Sequence, residues 1–244
     1  MKDDNMEIEN KKLTIVEHLS ELRKRIISSA ICLILFSILS YNFSERLVND
    51  MISKAPEVNF VFIEPAELFM SYIKISIIGG IGFSLPVILY NIWLFIKPGL
   101  IHSERKLIIR SLFLGGILFI LGALFAYIYV LPMTISFFAG FQIDQIKAMI
   151  SFRNYLSFAT TFVLSFGLVF EMPILMVIVV NLGLVSANTL QKNKKIAVLL
   201  IFIIAAILTP PDVISQTFLA VPMVLLFEAG IFFAKLTEKN KSKK

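Results

Sequence analysis

The sequence predicts an all-α polytopic membrane protein with six transmembrane helices, both termini cytoplasmic, and short fifth and sixth helices joined as a hairpin. Three observations carry this reading. Of 244 residues, 57% are hydrophobic and only 16% are charged, with a mean hydropathy of +0.84. A soluble domain is about half apolar and about a quarter charged, so this much apolar surface does not fit inside one water-soluble core. The apolar residues gather in six runs, and lysine and arginine gather in alternate connecting segments. The same composition excludes a disordered chain.

The runs are 26–43, 75–96, 111–131, 155–180, 196–208 and 213–234. Crossing roughly 30 Å of hydrocarbon takes roughly 20 helical residues. Four runs meet this, and the first meets it once extended into its flanks. The fifth, at 13 residues, reaches only about 20 Å at about 1.5 Å per residue. Thr209-Pro210-Pro211-Asp212 follows it at once. Paired prolines stop a helix, which makes a tight turn between the last two spans and thins the bilayer or sinks the turn into it.

Orientation follows from the basic residues, which concentrate on the cytoplasmic side. The N-terminal tail, the second and fourth loops and the C-terminal tail hold seventeen lysines and arginines. The other loops hold four: Arg46, Lys54, Lys147 and Arg153. Three segments result: 1–25, a cytoplasmic amphipathic N-terminal segment; 26–234, the transmembrane domain; and 235–244, a basic disordered tail near anionic lipid. The first apolar run is too long for the h-region of a cleaved signal peptide, and no A-x-A site follows it, so it reads as a retained span. The net charge of +6 belongs to these loops rather than to a nucleic-acid surface.

Between the spans, Thr14 and Glu17 match a capping box, and Ile15, Leu19, Leu22 and Ile26 form one stripe of an interfacial helix leading into span one. Leu47, Val48, Met51 and Ile52 recur at helical spacing and predict a short amphipathic helix lying on the membrane. Glu64-Pro65-Ala66-Glu67 reads as a helix start, with proline at the first position and an acid in the first turn. Asp212 reads as the N-cap of the sixth helix.

Few residues offer chemistry. One cysteine, Cys32, forms no intrachain disulfide, and two histidines, His18 and His102, are too few for a zinc or haem site. Protease, hydrolase and nucleotide-binding motifs are absent from the sequence, so neither enzyme activity, metal nor cofactor is expected. The acids are more informative. Glu21 has two readings: an i,i+4 pair with Arg25, or a carboxylate presented to a cationic partner at the membrane surface. Glu104 follows Pro98-Gly99 and opens the third span, where the helix dipole favours an acid. Topology places Glu21 and Glu104 on one membrane face, where two carboxylates could receive two guanidinium groups. Glu171 lies inside the fourth run just before Pro173. An ionisable group at that depth marks function, or is a protonated acid bonded to a carbonyl freed by the proline. Glu228, nearer the end of span six, is either wet or paired with Lys235.

Five blocks stand out in order: His18-Leu19-Ser20-Glu21-Leu22-Arg23-Lys24-Arg25, Pro86-Val87-Ile88-Leu89-Tyr90-Asn91-Ile92-Trp93, His102-Ser103-Glu104-Arg105, Ser165-Phe166-Gly167-Leu168-Val169-Phe170-Glu171-Met172-Pro173, and Leu208-Thr209-Pro210-Pro211-Asp212-Val213-Ile214-Ser215-Gln216. Together they resemble the TatC family, the large integral membrane subunit of the twin-arginine protein translocase. The resemblance implies a cup of six helices in the bacterial cytoplasmic (inner) membrane. It implies a receptor, present in several copies per complex, for the Arg-Arg pair of signal peptides on folded cargo, with transport driven by the proton motive force. Glu21 and Glu104 then contact those arginines, and Leu22 and Ser103 flank them. Glu171 becomes a contact for the single-span partners TatA and TatB, with Thr209, Asp212 and Gln216 at the edge of the same partner-docking face. Pro173, Pro210 and Pro211 shape the spans. From the first outer loop only Pro56 is carried over, as a loop-shaping residue.

Two other readings use the same residues differently. A proton-coupled transporter would use Glu171 as carrier, leave Glu21 and Glu104 without a role, and carry internal repeats, which the sequence lacks. An intramembrane enzyme has no nucleophile–base set.

Overall fold

In hydrocarbon no water is available for backbone N–H and C=O groups, so an apolar run must satisfy them within its own helix. The computed structural model describes residues 15–56, 58–100, 102–141, 149–209 and 212–241, and most of them are helical. In order they form α1 (Ile15–Tyr41), α2 (Ser44–Ser53), β1 (Asn59–Val61), α3 (Glu67–Ile96), α4 (His102–Phe125), α5 (Leu131–Ala139), β2 (Met149–Ser151), α6 (Phe152–Phe170), α7 (Met172–Asn181), α8 (Ala187–Lys192), α9 (Lys194–Leu208) and α10 (Val213–Lys241). Four helical stretches are long and apolar enough to cross a membrane: Glu67–Gly99, Arg105–Ala139, Phe152–Asn181 and Val213–Lys239. The α1–α2 pair, bent by 71°, makes a fifth if taken as one span. The 15-residue α9 reaches only about 22 Å.

Two of these stretches are interrupted, each by a proline. Between α4 and α5, Ala126–Val130 is wound as a π-helix just before Pro132. The widened turn absorbs the carbonyl that the proline ring would strike. Glu171 separates α6 from α7, with Pro173 in the first turn of α7. That helix ends at Gly183, whose φ of 74° takes the left-handed conformation that closes helices.

Helix packing relies on small residues, as expected where lipid leaves no hydrophobic drive between helices. α1 lies along α3 through Ser37 and Ser40, which sit against Gly80 and Gly79. α4 crosses α6 with Gly122 against Phe166 and Phe170, and with Gly167 against Phe119. One apolar core joins Phe162 and Phe166 of α6 to Leu219, Met223 and Phe227 of α10. A second joins Val48, Met51, Ile75, Leu131, Phe152 and Tyr155. The outward side chains of α1, Ile31, Ile34 and Ile38 among them, are exposed, which suits a lipid-facing surface.

Several expectations change. The helix at 44–53 exists, but only part of its apolar face is free for a membrane: Leu47 and Ile52 are exposed, and the other two apolar residues turn inward. Val48 and Met51 are buried in the second core, Tyr155 donates to the Met51 carbonyl at 2.7 Å, and the Tyr127 hydroxyl donates to Asp50. α3 starts at Glu67, behind a turn in which Glu67 N donates to the Glu64 carbonyl, rather than at Pro65. The sixth predicted helix is not short: α10 has 29 residues, because its polar end continues the helix. Glu228 pairs with Lys194 rather than Lys235, which instead meets Gln191. Thr14, the tails 1–14 and 242–244, and Pro210 and Pro211 lie outside the described residues.

Candidate functional site

The candidate residues fall into three places. The first is the end of the bundle where α1 begins and α3 ends. His18 stacks on Phe95 with ring centroids 4.4 Å apart, which fixes the first turns of α1 beside the last turn of α3. The chain then turns through Lys97–Gly99, where Leu100 N donates to the Lys97 carbonyl at 3.3 Å, and enters α4 at His102. Arg105 Nε donates to the Leu100 carbonyl at 3.3 Å and holds the head of α4 to this turn. Ser103 and Glu104 are in the first turn of α4; their side chains lie outside the described residues.

Glu21 stands one turn beyond His18 on α1. Its carboxylate accepts from Arg25 Nη2 at 3.1 Å, with both side chains about a quarter exposed. Such a pair along one helix is worth about 0.3–0.5 kcal/mol, little enough for an incoming guanidinium to replace it. Arg25 Nε is buried without a partner among the described residues. Leu22 is half-buried beside them. The local pair with Arg25 therefore exists, and it leaves Glu21 a carboxylate in guanidinium geometry at a half-open surface.

The second place is the break between α6 and α7. The Glu171 side chain rests against Gly115 of α4, where any Cβ would strike its carboxylate. Glu171 is half-buried, and its carboxylate has no hydrogen bond or ion pair among the described residues. Its backbone carbonyl accepts from Leu175 N at 3.0 Å, so the main chain is satisfied while the acid is not. Pro173 packs against Gly230 of α10.

The third place is the α9–α10 turn. Thr209 Oγ1 donates to the Ala205 carbonyl at 2.8 Å, Ser215 N donates to Asp212 Oδ1 at 2.6 Å, and Gln216 Nε2 donates to the Phe202 carbonyl at 2.9 Å. Asp212 is thus the expected N-cap, and Gln216 ties the two helices. The structure does not bring this group to Glu171. Gly230, opposite Pro173, is about 21 Å of helix from Gln216. At the same end of the bundle, Pro56 sits in a turn closed by Val58 N donating to the Ala55 carbonyl at 3.2 Å.

One carboxylate does more than the sequence reading of a helix-start acid implies. Glu67, 3% exposed, accepts from Ser151 Oγ, from Arg153 N at 2.8 Å, from Ile63 N at 2.8 Å and from Glu64 N at 3.5 Å. It thereby clamps the chain before α3 to the chain before α6, beside the parallel β1–β2 pair. Glu67 lies eight residues before the apolar run 75–96, about 12 Å of helix outside it. The Ser151 hydroxyl and the backbone donors hold its carboxyl down at about 2, against the opposing effect of burial.

Comparison with known proteins covers nearly the whole chain. The model of the family described as Sec-independent protein translocase protein (TatC) matches residues 17–222. The chain is 43% identical over 237 residues to the Sec-independent protein translocase protein TatC of Carboxydothermus hydrogenoformans, covering 96% of this chain and 98% of that protein. It is 33% identical over 226 residues to the protein of that name from Escherichia coli, covering 91% and 88%. A crystal structure of the twin arginine translocase receptor TatC superposes with a TM-score of 0.78 at 36% identity, covering 90% of this chain and 99% of that one. A second, in DDM, gives 0.80 at 36% identity, covering 89% and 99%.

Proposed function

The chain belongs to the TatC family of Sec-independent protein translocases, and from that premise we propose that it is the receptor for twin-arginine signal peptides and the core of a translocase that exports folded proteins. One observation carries the reading: Glu21 is a carboxylate about a quarter exposed and already holding a guanidinium, on a helix docked against the last turn of α3, from which the chain leads within a few residues to the head of α4 and Glu104. Two carboxylates at one surface discriminate arginine from lysine, because a guanidinium presents a planar fork and an ammonium does not. Leu22 and Ser103 flank the pair. The nearby Arg23, Lys24, Arg25, Arg105 and Lys106 keep the empty site from carrying uncompensated negative charge.

The rest of the assignment is part of the same proposal. The chain spans the bacterial cytoplasmic membrane six times with both termini cytoplasmic, works with TatA and TatB in a multi-copy complex, and draws on the proton motive force without catalysing a covalent reaction. Residues 1–25 form the cytoplasmic entry, 26–234 the transmembrane domain and 235–244 the tail. Glu171, with its unpartnered acid against Gly115, suits a polar partner contact within the bilayer. Thr209, Asp212 and Gln216 shape a separate contact edge at the far end of α9 and α10.

Photo-crosslinking tests the receptor. With probes at Leu22 and Ser103 in membrane vesicles, an Arg-Arg signal peptide is expected to crosslink and a Lys-Lys peptide is not. Glu21→Ala and Glu104→Ala should each weaken binding about tenfold, the scale of a charge-assisted hydrogen bond, at normal membrane levels. Unchanged binding in both variants would overturn the assignment.

A further inference from the structure

At the opposite end of the bundle from His18 and Phe95, a cavity of about 470 Å³ opens between α3 and α6. Glu64, Glu67, Met70, Lys74, Arg153 and Ser157 line it. Its two carboxylates and two cations cancel in number, but they are not all paired. Glu67 belongs to the wall, but its two oxygens are already taken by four donors. Glu64 holds Arg153 loosely at 3.4 Å, both side chains well exposed. Lys74 Nζ donates to Ser157 Oγ at 2.8 Å and has no carboxylate in ion-pair range among the described residues.

That leaves a set of donors converging on one space. An ammonium has three N–H groups, and Lys74 spends one on Ser157. The Ser157 hydroxyl, accepting from Lys74, keeps its own proton to donate. The Arg153 guanidinium supplies further donors across the cavity. Lys74 immediately precedes the apolar run 75–96, which puts its ammonium at the level where hydrocarbon meets headgroups. A cation there with no carboxylate in contact is costly unless an anion is brought against it. Met70, lining the same cavity, and Phe69 beside it are both more than half exposed and offer an apolar surface alongside the polar opening.

We propose that this cavity binds a phosphate group, held by Lys74, Ser157 and Arg153, with the headgroup of an anionic phospholipid as its source. Basic pockets between transmembrane helices take such headgroups, and here the apolar side chains would take the start of an acyl chain. The leaflet concerned follows from the orientation proposed above; the site itself does not depend on signal-peptide recognition, so either can fail alone.

The test uses the full chain, purified in neutral detergent and stripped of lipid. Phosphatidylglycerol, phosphatidylcholine and inorganic phosphate are added separately, and binding is read by native mass spectrometry and by the thermal unfolding midpoint. Phosphatidylglycerol is expected to bind in preference to phosphatidylcholine. Lys74→Gln and Arg153→Gln should each weaken it about fivefold, the share of one basic residue at an anionic surface. Glu64→Gln, which releases Arg153, should tighten it, an effect no merely structural role predicts. Lys54→Gln, whose ammonium lies over the Tyr127 ring, should change nothing. Should Lys74→Gln fail to fold, Ser157→Ala carries the same expectation. Equal stabilisation by inorganic phosphate, lost in the same variants, would support the site with free phosphate as its source. Equal retention of the two lipids, unaffected by every variant, would overturn the proposal.

Discussion

An acid buried at the head of a helix persists only if its oxygens are filled, and Glu67 shows what filling them accomplishes. Four donors from two separate loops converge on one carboxylate, so the ionised form is the one the fold holds. Its pKa falls from the ordinary 4.5 to about 2, first through the Ser151 hydroxyl and then through the backbone of Ile63 and Arg153. A depressed pKa means stability that is present above the unfolded value and lost as pH falls through the folded one. The gap in thermal midpoint between the parent chain and Glu67→Gln should therefore be constant above about pH 5 and close as pH drops toward 2. Melting curves at stepped pH in detergent read this directly; a gap that persists at pH 2, or that opens only in alkali, would show that the charge is not what holds the loops. Glu21 is the contrasting residue. Among the described residues it is tied only to Arg25 on its own helix, and can exchange partners without unfastening another element.

At the scale of elements, two glycines in α3 separate packing from propensity. A Cβ at Gly80 would fall 2.8 Å from the backbone of Ser37 on α1, whereas one at Gly82 would meet nothing within 4 Å. Backbone cannot swing aside as a side-chain tip can, so Gly80→Ala should cost about 1–3 kcal/mol as an overpacked contact. Gly82→Ala, in the same helix, should gain about 0.5–1 kcal/mol from reduced chain entropy. Unfolding in mixed micelles checks both; equal effects would mean that α1 does not sit on α3 as described. The elements also show what the sequence can and cannot display. The long spans were legible because their signal, an unbroken apolar run, is local. So were the Asp212 cap and the helix at 44–53, which depend on spacing within a few residues. Three things were not. The face on which α2 rests depends on a 71° bend. The β1–β2 pair joins residues 59–61 to 149–151, and the Glu67 clamp has partners 84 and 86 residues away. None of these leaves a periodicity behind, because the information lies in another part of the chain. The candidate site divides in the same way: Glu171 stood out as an acid inside an apolar run, and Glu21 and Glu104 as acids at one membrane face, but the separation of Glu171 from the α9–α10 turn emerged only from helix packing.

At the scale of the whole molecule, the contacts sort the helix ends into two groups. His18 with Phe95, and Lys194 with Glu228, Lys235 with Gln191 and Ala187 N with Glu238, are carried by the starts of α1 and α9, by α8, and by the ends of α3 and α10. Glu67, Arg153 and the α9–α10 turn are carried by the reverse ends. The basic loops of the sequence map onto the first group, and the acidic clamp onto the second. If basic residues are retained in the cytoplasm, the first group faces inward and the clamp outward. A membrane-impermeant maleimide distinguishes the two in intact cells. With Cys32 replaced by serine, Glu64→Cys should label from outside, and Lys192→Cys should label only after the membrane is opened. The reverse pattern would invert the molecule and remove the cytoplasmic signal surface at Glu21 with it. Labelling of both from outside would instead break the alternation of spans, and would show that one of the three stretches between them, Glu67–Gly99, Arg105–Ala139 or Phe152–Asn181, does not carry the chain across. The experiment thus bears on the receptor face and on the spans before Lys192 together, since the stretches from α1 through α7 must cross an even number of times for Lys192 and Glu21 to share a side.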